Sequence, residues 1–201
     1  MPKRESGKNQ AKSPSQKKRS TDAIQMLKDD HRKVEALFDQ FLEEESGKKQ
    51  HIAQQIFHEL EVHATLEEEL FYPALQNQDN TAELASFEQG GEAEGEEAMD
   101  ASELDEGIEE DDETPEEIAE DMIMNAYDEH RAVRDMIAQL RNSDASSLEY
   151  RQSMIELQQA VSDHVSQEED EFFPQAQLSI DTKTLGMQMQ QRRQEILSAA
   201  A

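Results

Sequence analysis

The chain has 201 residues, with 47 acidic against 19 basic side chains and a formal net charge of −28 at pH 7. It contains no cysteine, which excludes a disulfide scaffold and any metal site built on thiolates. Apolar residues make up 35% of the chain, and adding the 7 glycines still leaves the total below the roughly 45–50% of ordinary globular domains. The length suits one domain, part of which we expect to remain unpacked.

The charge is distributed very unevenly along the chain. Residues 1–20 carry seven basic side chains and one glutamate, and they are predicted to form a disordered tail. Residues 76–117 carry 18 acidic side chains and no basic one, which predicts a flexible acidic insert with a short helix around 82–87. This acidic field disfavours binding to nucleic acid or to an anionic membrane.

The sequence also lacks the marks of export and membrane insertion. No stretch approaches 18 consecutive apolar residues, and the polar, basic segment from Met1 to Ser20 is not followed by an apolar run. We therefore expect no membrane span and no secretory signal, and a cytoplasmic location.

Apolar residues recur at three- and four-residue spacing in four long stretches, the pattern of amphipathic helices. A first helix pair is predicted over 21–75 and a second over 118–176, with a further, weakly amphipathic helix within 177–201. Because neither pair can bury its apolar face alone, the predicted fold is all-α, an up-down-up-down four-helix bundle with an extra C-terminal helix.

Capping residues predict where several of these helices begin and end. Ser20 or Thr21 is predicted to cap the first helix, and Thr114 followed by Pro115 to begin the third. The fourth helix is predicted to stop near Pro174, because proline lacks the backbone donor that a helix interior needs.

The two halves of the chain repeat each other. Asp29-Asp30-His31-Arg32 corresponds to Asp128-Glu129-His130-Arg131, and His63-x-x-x-Glu67 corresponds to His164-x-x-x-Glu168. Each His-x-x-x-Glu motif is followed by acidic residues and then by Phe-x-Pro. A repeat of this kind predicts two copies of one helical unit packed together.

Six polar residues stand where the apolar stripes require core hydrophobes: His31, His63, Glu67, His130, His164 and Glu168. A histidine and a glutamate four residues apart lie on the same helix face. Burying these groups unpaired would cost several kcal/mol each, and a cation at the bundle centre removes that cost. His51 and His58 have no counterpart in the other half and are predicted to lie on the surface.

The ligand set limits the metal. Four imidazoles and two carboxylates fit Fe, Mn or Zn, and fit Mg or Ca poorly. Two facing glutamates can bridge two ions, each also held by two histidines. Such a centre has incomplete coordination, which leaves positions for water, O₂ or peroxide.

These paired motifs resemble the hemerythrin-like domain, also called the HHE cation-binding domain, over about residues 22–176 with the acidic insert as an interruption. The resemblance implies a non-haem centre of two Fe ions, bridged by Glu67, Glu168 and an oxygen species, and chemistry with O₂ or its reduced forms. Oxygen-carrying hemerythrins have a further histidine where this chain has Arg134. That difference disfavours stable O₂ carriage and favours redox turnover, sensing or iron storage.

The leading hypothesis is a cytoplasmic di-iron protein that binds O₂ or peroxide, with a role in oxidative or general stress protection. A second hypothesis uses the same site as an oxidase, peroxidase or ferroxidase. A third treats the bundle as an interaction module with a vestigial metal site, whose acidic insert binds a basic protein. The sequence leaves the oligomeric state open.

Overall fold

A computed structural model of the protein describes residues 22–45, 47–76 and 115–199. The predicted tail over 1–20, nearly all of the predicted acidic insert and its short helix around 82–87 lie outside these residues. All regular secondary structure in the described ranges is helical. Within them, no helix combines the length and the apolar character needed to cross a membrane.

Four long helices form the bundle: α1 (Ala23–Glu43), α2 (Lys49–Leu66), α3 (Pro115–Arg141) and α4 (Leu148–Gln167). A single π-helical turn follows α2 (Glu67–Phe71, here π1) and another follows α4 (Glu168–Phe172, here π2). Two further helices follow in the described residues, α5 (Phe173–Ser179) and α6 (Thr182–Ala199). α1 packs chiefly on α2, and α3 on α4, so the predicted all-α bundle of two helix pairs is confirmed.

Side-chain caps set the starts of α1 and α4. Asp22 has an extended backbone and its Oδ1 accepts the N–H of Gln25 at 3.1 Å. The cap of α1 is therefore Asp22 rather than Ser20 or Thr21. Ser147 caps α4 in the same way, because its hydroxyl accepts the N–H of Tyr150 at 3.0 Å.

Asp22 also links the start of α1 to the start of α6, because its Oδ2 accepts the hydroxyl of Thr182 at 2.7 Å. We expect Asp22→Ala to lower the free energy of unfolding by roughly 1–2 kcal/mol, since it removes a helix cap and a contact to α6. Ser147→Ala, which removes only a cap, should cost about 1 kcal/mol. Urea unfolding followed by circular dichroism measures both, and an unchanged midpoint for Asp22→Ala would contradict this account of the cap.

The apolar core is divided into two clusters that lie on either side of a buried polar layer. The cluster nearer the start of α1 includes Leu27, Leu66, Phe71, Phe173 and Met189. The cluster nearer the interhelical loops includes Phe38, Ile56, Phe57, Ile137 and Leu157. Full burial of each such side chain contributes roughly 1.5–3 kcal/mol, so the two clusters hold the polar layer between them in a fixed frame.

The fourth helix does not stop near Pro174, so that prediction was wrong. At π2 the N–H of Phe173 bonds to the carbonyl of Glu168, five residues earlier, and α5 then begins with Pro174 in its first turn. A proline at the first turn lacks only a donor that a helix start leaves free. The chain can therefore pass Pro174 while remaining helical.

Candidate metal centre

The six residues singled out by the repeat lie together in the polar layer of the bundle. His31, His63, Glu67, His130, His164 and Glu168 are all buried, with relative exposures between 0% and 7%. They form two groups that could each hold an ion, one of His31, His63, Glu67 and Glu168 and the other of Glu67, His130 and His164. The ligand atoms within each group all lie within 4.8 Å of one another.

The four imidazoles form two pairs, one from each half of the chain. His31 Nε2 is 3.2 Å from His63 Nε2, and His130 Nε2 is 3.0 Å from His164 Nε2. Glu67 lies between the pairs: its Oε1 is 3.0 Å from His63 Nε2 and its Oε2 is 3.4 Å from His130 Nε2. One carboxylate thus reaches both pairs, with one oxygen for each.

Glu168 has a different arrangement from Glu67. Its Oε2 lies 3.2 Å from His31 Nε2 and 3.6 Å from His164 Nε2, so it also reaches both pairs. Its Oε1 instead accepts a hydrogen bond from the hydroxyl of Tyr72 at 2.9 Å. The two carboxylates are therefore inequivalent, although the sequence repeat makes them look alike.

Several of these buried oxygens have no hydrogen bond from the described residues. They are both carboxylate oxygens of Glu67 and Oε2 of Glu168. Their nearest neighbours are imidazole Nε2 atoms, at 3.0 Å (His63) and 3.4 Å (His130) from Glu67 and at 3.2 Å (His31) from Glu168. Leaving such oxygens unsatisfied is costly, and a cation at the centre would satisfy all of them, so the side chains fit a metal site.

Each imidazole has a carboxylate on its far side, facing Nδ1. The pairs are His31 with Glu169 (3.0 Å), His130 with Glu68 (2.9 Å), His164 with Glu129 (2.7 Å) and His63 with Asp30 (3.7 Å). A carboxylate at Nδ1 keeps the proton on that nitrogen and leaves the Nε2 lone pair free for a metal. The sequence analysis did not single out these four carboxylates, although all of them lie within the repeated motifs.

Cationic side chains hold three of these four carboxylates. Lys28 Nζ is 3.5 Å from Glu169, Arg134 Nη2 is 2.8 Å from Glu68, and Arg193 binds Asp30. Arg134, which stands where oxygen-carrying hemerythrins have a further histidine, thus binds a carboxylate behind His130. Its contact with His130 is therefore indirect, through Glu68.

The proximity of carboxylates and imidazoles changes their affinity for protons. Burial alone would lower the pKa of His130, but Glu67 and Glu68 outweigh it and raise that pKa to about 9. Burial is likewise outweighed by Glu67 at His63, whose pKa lies well above its usual value. Burial would raise the pKa of Glu67, but His63 and His130 hold it well below its usual range. A metal ion must therefore displace protons from these imidazoles.

Comparison with known proteins agrees with this site. The family model described as the hemerythrin HHE cation-binding domain matches residues 22–126 and 113–176. This chain belongs to that family. The HHE domain binds metal cations, and the two groups of ligand atoms in this chain are compatible with a site for two ions.

A crystal structure of similar fold is that of a hemerythrin HHE cation-binding domain-containing protein, the Rv2633c homolog from Mycobacterium kansasii. The two chains share 20% sequence identity with a TM-score of 0.62, and the match covers 89% of each. The search of curated proteins found no match. The structural likeness supports the helical fold.

The π-helical turns of this HHE domain begin at the two candidate bridging residues. Glu67 is the first residue of π1 and Glu168 the first residue of π2. Such turns are rare and occur often at functional sites. The sequence analysis did not predict them. The proline six residues after each glutamate was the available signal, since it removes a donor from the helical hydrogen-bond ladder.

On each side of the polar layer of the HHE domain, an aromatic ring stacks on one of the candidate histidine ligands. Tyr72 stacks on His130 with ring centroids 5.8 Å apart, and Phe173 at the equivalent position stacks on His31 at 5.7 Å. Burial raises the pKa of the Tyr72 hydroxyl, and so do the nearby carboxylates, which keeps it a donor. Tyr127 is half-buried and donates its hydroxyl to the carbonyl of Glu68 at 3.2 Å.

A small apolar cavity of about 30 Å³ adjoins the site. All four histidines line it and the two candidate bridging glutamates do not, so it lies on the histidine side of the site. The other lining residues are mostly aliphatic: Val34, Leu60, Ala64, Val133, Val161 and Val165, together with Asp30. A space of this size holds a molecule about as large as water or O₂.

Tyr72→Phe tests the inequivalence of the two glutamates. We expect it to lower the free energy of unfolding of the metal-free protein by roughly 1–3 kcal/mol, because Oε1 of the buried Glu168 loses its donor. Tyr127→Phe is the matched control, since its hydroxyl bonds to a backbone carbonyl and not to a candidate ligand. Urea unfolding at fixed pH measures both variants. Equal unfolding midpoints for Tyr72→Phe and the unaltered protein would contradict the proposed role of this hydrogen bond.

Proposed function

We propose that His31, His63, Glu67, His130, His164 and Glu168 hold two iron ions, with the two glutamates as bridges, and that this centre binds O₂ or peroxide. The observation that carries the proposal is the position of Glu67. Its two unsatisfied oxygens face one histidine pair each, at 3.0 and 3.4 Å. That arrangement suits two ions and is not needed for one.

The proposal of iron rather than manganese or zinc rests on the donor set and on the cavity. Imidazole ligands suit Fe and Zn, while carboxylate-bridged metal pairs inside four-helix bundles are a well-known setting for di-iron. A structural zinc site is closed and needs no neighbouring space. The apolar cavity beside the histidines instead provides room for one small, uncharged ligand.

In this proposal, bound iron would supply redox chemistry toward O₂ or peroxide, and the residues of the chain control its surroundings. The carboxylates at Nδ1 hold the imidazole protons away from the ion, as Glu68 does at His130. Tyr72 keeps a proton on its hydroxyl, 2.9 Å from Glu168 Oε1. Val34, Val133 and Val161 line the cavity with apolar surface and limit the entry of water.

The wider role that we propose is cytoplasmic protection against oxidative or general stress. It is supported by Arg134, since a centre without the additional histidine is more open to small molecules than an oxygen carrier's. We retain the proposed division of the chain into a basic tail, two helix pairs, an acidic insert and a C-terminal helix. A basic protein is the candidate partner for the insert.

Anaerobic loading with two equivalents of Fe(II), followed by O₂ or one equivalent of hydrogen peroxide, tests the proposed chemistry. We expect a near-ultraviolet or visible band from an oxo-bridged ferric pair. His63→Ala should remove the band, whereas His58→Ala, on the same helix and without a counterpart in the repeat, should retain it. Absence of the band in the unaltered, iron-loaded protein would overturn the proposal.

Enzymatic turnover of peroxide is a second candidate, and the small cavity favours it over oxidation of organic substrates. A cavity of about 30 Å³ admits peroxide but no larger organic molecule. Repeated consumption of peroxide by the iron-loaded protein, beyond one equivalent per centre, would support an enzyme. Consumption that stops after one equivalent would correspond to a single oxidation of the two Fe(II) ions by peroxide, which is not turnover.

A further inference from the structure

We propose that Arg193 on α6 is a positioning residue for one of the two metal ions, so that docking of α6 and occupancy of the His31–His63 half of the centre stabilise each other. This inference rests on the proposed two-metal site. It concerns a helix that supplies no candidate ligand.

Arg193 on α6 contacts Asp30 on α1. Arg193 Nη1 donates to Asp30 Oδ1 at 2.9 Å, and Nη2 donates to Oδ2. The two side chains are only 18% and 10% exposed. A two-pronged pair of this kind fixes the orientation of the carboxylate, and its burial makes the loss of either partner costly.

Asp30 lies beside the candidate ligand His63. Its Oδ2 lies 3.7 Å from His63 Nδ1, an ion-pair distance rather than a hydrogen bond. His63 Nδ1 is buried and has no hydrogen-bond partner among the described residues. Asp30 therefore acts on His63 through its charge, which favours the proton on Nδ1 and leaves Nε2 to the metal. Arg193 holds that charge in place.

In the other half of the site, the histidine that matches His63 is supported in a different way. Glu129 occupies the position that matches Asp30 and reaches His164 Nδ1 directly, at 2.7 Å. Among the described residues Glu129 is ion-paired with His164 and with no Lys or Arg, and its side chain is 42% exposed. The imidazole of His164 is thus oriented without help from α6. Loss of Arg193 should affect only the His31–His63 half.

Contacts other than the one made by Arg193 hold α6 in place. Leu185 and Met189 are buried in the cluster nearer the start of α1. Thr182 bonds to Asp22, and the exposed Arg192 pairs with Glu69 at the surface. Removing the Arg193 charge should therefore leave α6 docked, and the effect on the metal can be measured in a folded protein.

The test is competition titration of Zn²⁺ against a chromophoric chelator, using the full chain. We expect Arg193→Gln to weaken binding of one ion by roughly 10- to 100-fold, the usual effect of losing support behind a metal-ligating histidine. The affinity for the other ion should change less than about twofold. Arg192→Gln, which removes the neighbouring arginine and its surface ion pair, is the matched control and should leave both affinities unchanged.

A double-mutant cycle with His63→Ala distinguishes positioning from general loosening. In the His63→Ala background, Arg193→Gln should cause no further loss of Zn²⁺ affinity, because its effect passes through that imidazole. Equal weakening of both ions, or no weakening of either, would overturn the inference. If Arg193→Gln does not fold, Arg193→Lys is tested instead. It keeps the charge without the two-pronged geometry and should give a smaller loss confined to one ion.

Hydrogen exchange measures the same coupling through the effect of metal binding on α6. Zn²⁺ should slow exchange of the backbone amides of α6 in the unaltered protein, because coupling between two sites is reciprocal. The slowing should disappear in Arg193→Gln, and its persistence there would overturn the inference. Failure of the unaltered protein to bind any Zn²⁺ or iron is a separate result, and it would overturn the proposed function itself.

Discussion

Alanine at both Glu67 and Glu168 is expected to abolish binding of both metal ions and to leave the bundle folded. These are the only carboxylates in the two groups of candidate ligands, and Glu67 is common to both groups. Four imidazoles alone would leave each ion with two ligands from the protein. Glu67 attracts the imidazoles of His63 and His130 in the metal-free state, so its removal should lower stability, but the two apolar clusters should keep the chain folded.

The control for this double variant is Glu35→Ala with Glu171→Ala, which removes the same charge from exposed positions close to the site. Glu35 follows His31 by four residues, and Glu171 lies within π2. Metal content by elemental analysis should be unchanged in the control and zero in the test variant, with circular dichroism to confirm helicity. Retention of two ions without Glu67 and Glu168 would contradict the assignment of ligands.

The metal-free protein is expected to lose stability as the pH rises from about 6.5 to about 9. His130 has a pKa of about 9 in the folded chain against 6.5 for an ordinary histidine. A raised pKa stabilises the fold fully below the unfolded value, and this contribution disappears as the pH passes through the folded value. The loss is at most ~3 kcal/mol from this group, and His63 changes stability in the same direction.

Urea unfolding of the metal-free protein at pH 6.5 and 9.5 measures this loss. The metal-loaded protein should lack the dependence, because the ion replaces the proton on the imidazole. His51→Ala removes an exposed histidine and should retain the dependence, whereas His130→Gln should reduce it. Stability of the metal-free protein that rises over this pH range would contradict the described contacts between His130 and the carboxylates.

The bundle and the identity of the buried polar residues could be predicted from the sequence. Both the repeat and the helical period of the apolar residues indicate which polar residues lie in the interior. His31 and His130 interrupt apolar stripes that would otherwise be continuous, and His63 lies one turn from Glu67 on the same face. His51, by contrast, is exposed and has no counterpart in the repeat. Periodicity therefore separates interior histidines from surface ones without any structure.

The carboxylates behind the histidines could not be assigned in the same way. Glu68 and Glu169 stand among consecutive acidic residues, and nothing local shows which of these faces an imidazole. The choice depends on the π-helical turns, which rotate the residues that follow Glu67 and Glu168. A π turn arises from the balance of hydrogen bonds around the later proline, which a helical period does not describe.

The roles of Arg134 and Arg193 required the tertiary structure. The resemblance to hemerythrins indicated that Arg134 takes the place of a histidine, but its ion pair with Glu68 joins α3 to π1 across the bundle. Arg193 lies in the last helix, and only the packing of that helix brings it to Asp30. Contacts between distant segments of this kind carry no short-range signal in the sequence.

Elemental analysis of the purified protein, together with its visible spectrum, tests the central claim most directly. The account predicts two iron ions per chain and the absorbance of an oxo-bridged ferric pair in the aerobically purified protein. One ion per chain would contradict the bridging position of Glu67. A colourless protein that contains no iron and takes up none on reconstitution would contradict the account as a whole.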